Sequence, residues 1–253
     1  MKLLRDTSLL FERNMLITLR NPVWVVVSLM QPLYFLILFA PLLEGIANAP
    51  GFPPGGALNI FMPGLLIQLG MFGCAFVGFG LIAELRAGVV ERMRVTPVSR
   101  MAPLLGRALR DVVILLVQAI LLVGISIPFG LKINWAGAAI TLGLLILLGL
   151  LMACSSYALA LALRSEDALA PMLNSVIQPL LLLSGILLPL TLAPHWLRVV
   201  ASINPLSHVV DAARALFNGQ LTDAVVGQGL IILVVLTILA MWWAARSFRQ
   251  ATA

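Results

Sequence analysis

Charged residues fall along this chain in a way that leaves long apolar windows. Residues 21–43, 45–83, 112–131, 133–163, 168–197 and 224–245 carry no charged side chain. A hydrocarbon core about 30 Å thick takes about 20 apolar residues in helix, so each window can hold one span. The 45–83 window is too long for one. Pro50, Gly51, Pro53, Pro54, Gly55 and Gly56 interrupt its first part, and Gly and Pro break regular elements. The pattern therefore predicts six spans, near residues 23–43, 60–83, 112–131, 138–163, 170–191 and 225–245.

Residues 2–20 follow a different rule. On a helix, Lys2, Arg5, Asp6, Glu12, Arg13 and Arg20 share an arc of about 120°, while Leu3, Leu4, Leu10, Phe11, Met15, Ile17 and Leu19 lie opposite, with Leu9 and Leu16 as exceptions. This predicts an amphipathic helix in the membrane interface, broken by Asn21-Pro22 before the first span. It can serve as an anchor or as a docking element, and amphipathicity alone does not separate the two.

Composition agrees with the windows. Of 253 residues, 61% are hydrophobic and 10% charged, with mean hydropathy +1.08. An ordinary soluble domain is about 45–50% apolar and about 25% charged. A soluble enzyme is excluded, because too few charges exist to coat a wetted surface. Disorder is excluded because it needs low hydrophobicity and high net charge. The net charge of +6 does not point to nucleic acid, since no basic patch alternates with stacking aromatics. Instead it follows topology. The N-terminal segment, the loop between spans two and three, and the segments after spans four and six together hold thirteen Lys and Arg; the other side holds Lys132, Arg198 and Arg214. Positive residues stay inside, so both termini are expected in the cytoplasm. Ala47-Asn48-Ala49 resembles a cleavage site, but the apolar stretch before it is too long for a signal peptide and a charged segment precedes it. Cys74 and Cys154 lie in apolar stretches without metal-ligand spacing and read as packing residues.

The expected class is thus an all-α integral membrane protein, taken as a single domain over residues 1–253. It has six transmembrane helices and an amphipathic N-terminal segment over 1–21. The loop Glu84–Asp111 concentrates charge. Its first part can be helical to Arg94, Thr96-Pro97 ends that helix, and another starts near Ala102-Pro103 with Pro at the first position. A short charged helix at the membrane surface can fit a groove on a soluble partner; a loop that only sets topology has the same charge.

The order of residues separates these readings. Glu84, Gly88, Glu91, Arg92, Met93, Arg94, Thr96, Pro97 and Arg100 form a string that resembles the cytoplasmic loop of ABC type-2 exporter permeases, most like the daunorubicin/doxorubicin-resistance branch. The resemblance extends over the chain. Pro189 and Pro194 close the fifth span, and His195–Val200 makes a short amphipathic turn. Asn204 then reads as an N-cap, with Pro205 opening a helix that Asn218-Gly219 ends. The run Asn204, Pro205, His208, Asp211 and Arg214 is similar to the family's run here. The resemblance implies a connecting helix at the N-terminus (carrying Arg5, Phe11, Arg13 and Arg20) and a coupling helix within 84–111. It also implies short re-entrant helices over 193–220 in the outer leaflet. It implies a permease of a bacterial-type inner cell membrane, pairing with a second copy as a homodimer and with two ATPase subunits. ATP and Mg would sit on those subunits, with no cofactor on this chain.

Other motifs narrow the chemistry. A phosphate-binding loop needs Gly-Lys before Ser or Thr, and neither Lys2 nor Lys132 fits. No H-E-x-x-H or G-x-S-x-G pattern occurs, so catalytic and metal-ligating residues are not expected. His208, Asp211 and Arg214 share a helix face; an Asp211–Arg214 ion pair is the expected use, since one His and one Asp fall short of a metal site. No span centre holds a charge, which disfavours an ion-driven carrier, although neutral polar sites keep that alternative open, along with a channel. Gln31, Pro32, Gln68, Asn174 and Gln178 are the candidate pathway lining, and helix-to-helix glue is their other reading. Aromatics are only 7%, so a hydrophobic drug or lipid-like substrate is expected, with a polysaccharide or glycolipid as the alternative.

Overall fold

The structure is a computed structural model and describes residues 2–21, 23–46, 56–88, 101–186 and 190–252. Its helices are α1 (Lys2–Arg20), α2 (Val23–Ile46), α3 (Ala57–Ala75), α4 (Gly78–Arg86), α5 (Ala102–Ser126) and α6 (Trp135–Leu163). They continue with α7 (Glu166–Leu182), a single 3-10 turn (Leu190–Leu192), α8 (His195–Ile203), α9 (Pro205–Phe217) and α10 (Ala224–Thr252).

Local chemistry sets the boundaries. Asn134 caps α6 by accepting from the Gly137 N–H at 3.0 Å. Asn204 caps α9 by accepting from the Leu206 N–H at 3.0 Å, and Pro205 occupies the first turn, where a missing N–H costs nothing. Gly88, at φ +67°, closes α4; the Ala87 and Gly88 N–H groups reach back to the carbonyls of Ala83 and Leu85.

Four helical stretches are long and apolar enough to cross a membrane: Leu58–Arg86 (α3 with α4), Ala102–Ser126, Trp135–Leu163 and Ala224–Gln250. α1 and the Val25–Leu38 part of α2 meet at a 69° bend, and together they would make a fifth. The chain is therefore an all-helical, multi-pass membrane protein with four or five candidate spans among the described residues.

Two elements differ from the expected pattern. α5 begins at Ala102, at the Ala102-Pro103 start expected, and ends at Ser126 rather than 131; Arg107, Arg110 and Asp111 lie inside the helix, where they find partners. α7 stops at Leu182 instead of running to 191. A turn follows at Leu183–Gly185, with Gly185 at φ +73°, and 17 residues at about 1.5 Å each fall short of a bilayer core.

α6 forms the centre of the bundle, packed by α3, α4, α5, α9 and α10. Small residues let helices approach closely within the chain. A Cβ on Gly70 would come within 2.9 Å of Leu148, and one on Gly149 within 2.8 Å of Leu115. At Gly137 a Cβ would fall 1.8 Å from the Leu216 carbonyl oxygen, so α6 and the end of α9 meet backbone to backbone.

Candidate coupling site and polar interior

Among the described residues, Arg86, Arg107 and Arg110 flank the base of the loop that joins α4 to α5, at one end of the bundle. Glu84, near the end of α4, accepts a hydrogen bond from the Arg107 guanidinium on α5. Arg107 is buried and Glu84 about one-third exposed, so this pair ties the two ends of the loop together. One turn on, the Arg110 Nε donates to Asp111 Oδ1 at 2.9 Å, and the Tyr157 hydroxyl of α6 donates to Asp111 Oδ2. Asp111 and Tyr157 are buried, so the carboxylate depends on these donors in place of water. Arg86 reaches across to Glu166 at the start of α7, 3.1 Å away. α1 lies along this cluster: Gly106 allows its backbone in, since a Cβ there would come within 3.1 Å of the Phe11 nitrogen. Phe11 is half-buried, whereas Arg5, Arg13 and Arg20 remain exposed.

Of the coupling residues singled out above, Glu84 and Gly88 are placed, at the end of α4. Glu91, Arg92, Met93, Arg94, Thr96, Pro97 and Arg100 lie outside the described residues.

At the opposite end, side chains hold backbone. The Asn59 amide pairs with Lys132 in both directions, donating to its carbonyl at 2.9 Å and accepting from its N–H at 3.1 Å. Arg214, buried in α9, donates through Nε to the Ile60 carbonyl at 3.0 Å and through Nη2 to the Gly185 carbonyl at 2.6 Å. Its Nη1 is 3.6 Å from Asp211. The Asn204 side chain donates to the Leu180 carbonyl at 2.8 Å, fastening α9 to α7. His208 Nε2 lies 3.1 Å from the Ser202 carbonyl, within the α8–α9 corner. Among the described residues no cluster of His, Cys, Asp and Glu converges as a metal site. A cavity of about 740 Å³ opens at this end, lined by Asn59, Phe129, Lys132, Asn134, Phe217 and Asn218 among others.

The five candidate pathway residues do not share one surface. Gln31 is half-buried and Pro32 buried in α2, Gln68 faces the interior of the bundle, and Asn174 and Gln178 lie on an outward face of α7. The best-connected interior amide is Gln118 of α5. Its Nε2 donates to the Val25 carbonyl and the Ser28 hydroxyl of α2, both at 2.7 Å. Two features escaped the sequence reading. Tyr157 sits inside an apolar window, with nothing local to mark Asp111 as its partner. Phe72, Phe76 and Phe79 form a stacked ladder along α3 and α4, with centroids 6.3 and 6.1 Å apart; their spacing at i, i+4 and i+7 was the available signal.

Comparison with known proteins bears on what such a bundle does. Residues 5–218 match the family described as ABC-2 type transporter. A protein named as a transport permease, ycf38, from Pyropia yezoensis is 30% identical over 259 residues, covering 95% of this chain and 87% of the relative. Its namesake from Cyanophora paradoxa is 25% identical over 246 residues, or 92% and 85%. The daunorubicin resistance ABC transporter permease protein DrrB1 of Streptomyces coeruleorubidus is 26% identical over 200 residues, or 78% and 70%.

Proposed function

Because the chain belongs to the ABC-2 type transporter family, we propose that it exports a hydrophobic drug or lipid-like substrate from the cytoplasm or inner leaflet of a bacterial-type cell membrane. The chain is a transmembrane permease subunit without an ATPase domain, and ABC permeases pair with ATPase subunits. In this reading two ATPase copies sit under the arginine-rich end, hold ATP and Mg, and face both termini of the chain in the cytoplasm. The Lys and Arg bias supports that orientation.

The observation that carries the reading is the Glu84–Arg107 tie across the base of the loop. The tie holds the ends of α4 and α5 together, so a push on the loop would reach both helices. From α5 the push would continue through Asp111 and Tyr157 to the central α6. ATP binding would close the ATPases, press on the loop, and shift the permease between two states. The coupling segment Glu84–Arg100 would be the contact.

A second permease copy would complete the path. Asn174, Ser175 and Gln178 are exposed on α7, and polar side chains facing hydrocarbon are strongly disfavoured. A second copy, paired as a homodimer through this face, would cover them. The 7% aromatic content and the name of the relative DrrB1 support an apolar cargo over a sugar polymer.

Replacing Glu91, Arg92 and Arg94 together with alanine tests the coupling assignment. The triple variant is expected to insert and fold but to lose its copurifying ATPase subunit in mild detergent. ATPase capture equal to that of the unmodified chain would remove the loop from the mechanism.

A further inference from the structure

α3 carries an amide in its middle turns that the bundle leaves dry. Gln68 is 1% exposed, and neither its Oε1 nor its Nε2 has a hydrogen-bond partner among the described residues. Gln118, the same residue type at similar burial on α5, is paired with α2. Burying an amide without partners is unfavourable, and a leucine or methionine of similar volume would fill the space without that penalty. Packing in the arrangement described here therefore gives no reason for a glutamine at position 68.

Its surroundings give one. A turn before it, Gly64 lies tight on the chain that follows α7: a Cβ there would fall 2.7 Å from the Ile186 carbonyl oxygen. A turn after it begins the half-buried ladder of Phe72, Phe76 and Phe79, which crosses the break between α3 and α4. At that break the Gly78 N–H, which lacks a helical partner, donates to the Ser156 hydroxyl at 2.9 Å. Gln68 thus sits between a close backbone contact and a place where the span can bend without losing a hydrogen bond.

We propose that Gln68 is a state-selecting polar contact. It is dry in the arrangement described here, and in the opposite arrangement of the transport cycle it takes hydrogen bonds from water or from polar atoms of the cargo. A group penalised in one state and satisfied in the other biases the equilibrium by the difference. Removing the amide should shift the balance toward the dry state by on the order of tenfold. The proposal rests on the chain being a transport subunit, not on the coupling-loop assignment.

The test uses the permease–ATPase complex in nanodiscs, with Gln68→Leu and Gln68→Met. Both variants are expected to retain the ATPase subunit, raise the thermal unfolding midpoint, and lower ATP turnover by about tenfold, in line with the population shift. A lowered midpoint would overturn the proposal, because the amide would then have a partner in the assembled protein. A raised midpoint with unchanged turnover would overturn it too, because the amide would be only a burden. Labelling gives an independent reading. With Cys74 and Cys154 replaced by alanine, Gln68→Cys should react with a water-soluble maleimide during ATP turnover and stay unlabelled at rest. No labelling in either condition, or equal labelling in both, would rule out the switch between dry and wet states. Loss of the ATPase subunit in the coupling-loop variant, or its absence, leaves these outcomes unaffected in meaning.

Discussion

The two ends of the bundle use hydrogen bonds differently. At the arginine-rich end side chain meets side chain: Glu84 with Arg107, Arg86 with Glu166, and Asp111 with Arg110 and Tyr157. At the opposite end side chain mostly meets backbone: Asn59 with Lys132, Asn204 with Leu180, and Arg214 with Ile60 and Gly185, the longer Arg214–Asp211 pair at 3.6 Å being the exception. A bond to backbone pins a turn in one conformation. A bond between side chains links two helices while leaving each intact, so it can be exchanged as helices shift. The first arrangement suits an end that must hold its shape, and the second suits an end that must pass on a push.

Breaking the buried member of the exchangeable set should have the largest effect. Asp111→Ala leaves the Tyr157 hydroxyl and the Arg110 guanidinium without their carboxylate, and losing one partner of a buried charged group costs about 3–5 kcal/mol. Asp111→Asn keeps an acceptor for Tyr157 and should lose less. Thermal or denaturant unfolding in detergent orders the three proteins. If Asp111→Ala unfolds like the unmodified chain, the buried cluster is not holding α5 to α6 and the contrast between the ends fails.

The pinned end should show a middle-sized effect with a different signature. Asn59→Ala removes both bonds to Lys132 and leaves a backbone N–H and a C=O unpaired, a loss of about 1–3 kcal/mol. Asn59→Asp keeps the acceptor for the Lys132 N–H and loses the donor, so its stability should fall between the two. Capture of an ATPase subunit should be unchanged in both. A loss of capture would mean that the two ends are not separable.

Much of this layout was legible in advance, because hydropathy and capping are local. The apolar windows located α2, α3, α6 and α10, and Asn204-Pro205 marked the start of α9 through chemistry contained in two adjacent residues. What was not legible depended on partners distant in sequence. The helix through Arg107, Arg110 and Asp111 was legible, but two of their partners were not: Glu84, which pairs with Arg107, lies 23 residues away, and Tyr157, which donates to Asp111, lies 46 away. The early end of α7 was invisible because the Leu183–Gly185 turn falls inside an apolar window, where hydropathy does not register a change of direction. Gln68 and Gln118 show the same limit. Both are amides in apolar windows, and only the rotation of each helix against its neighbours decides which is paired.

The smallest expected effect sharpens the contrast from within the arginine-rich end. Arg86 and Glu166 stand 3.1 Å apart, as close as a good ion pair, but their side chains are 59% and 40% exposed. Water and salt screen such a pair, and its worth is about 0–1 kcal/mol. A double-mutant cycle with Arg86→Ala and Glu166→Ala should give a coupling energy within that range, falling as salt is raised. Asp111 coupled to Tyr157 in a second cycle (Asp111→Asn with Tyr157→Phe) should give a larger value that salt leaves unchanged, because that pair is buried. Equal coupling energies in the two cycles would mean that burial does not grade these contacts. The view of this end as a buried joint between α5 and α6, with a loose exposed strap to α7, would then have to be given up.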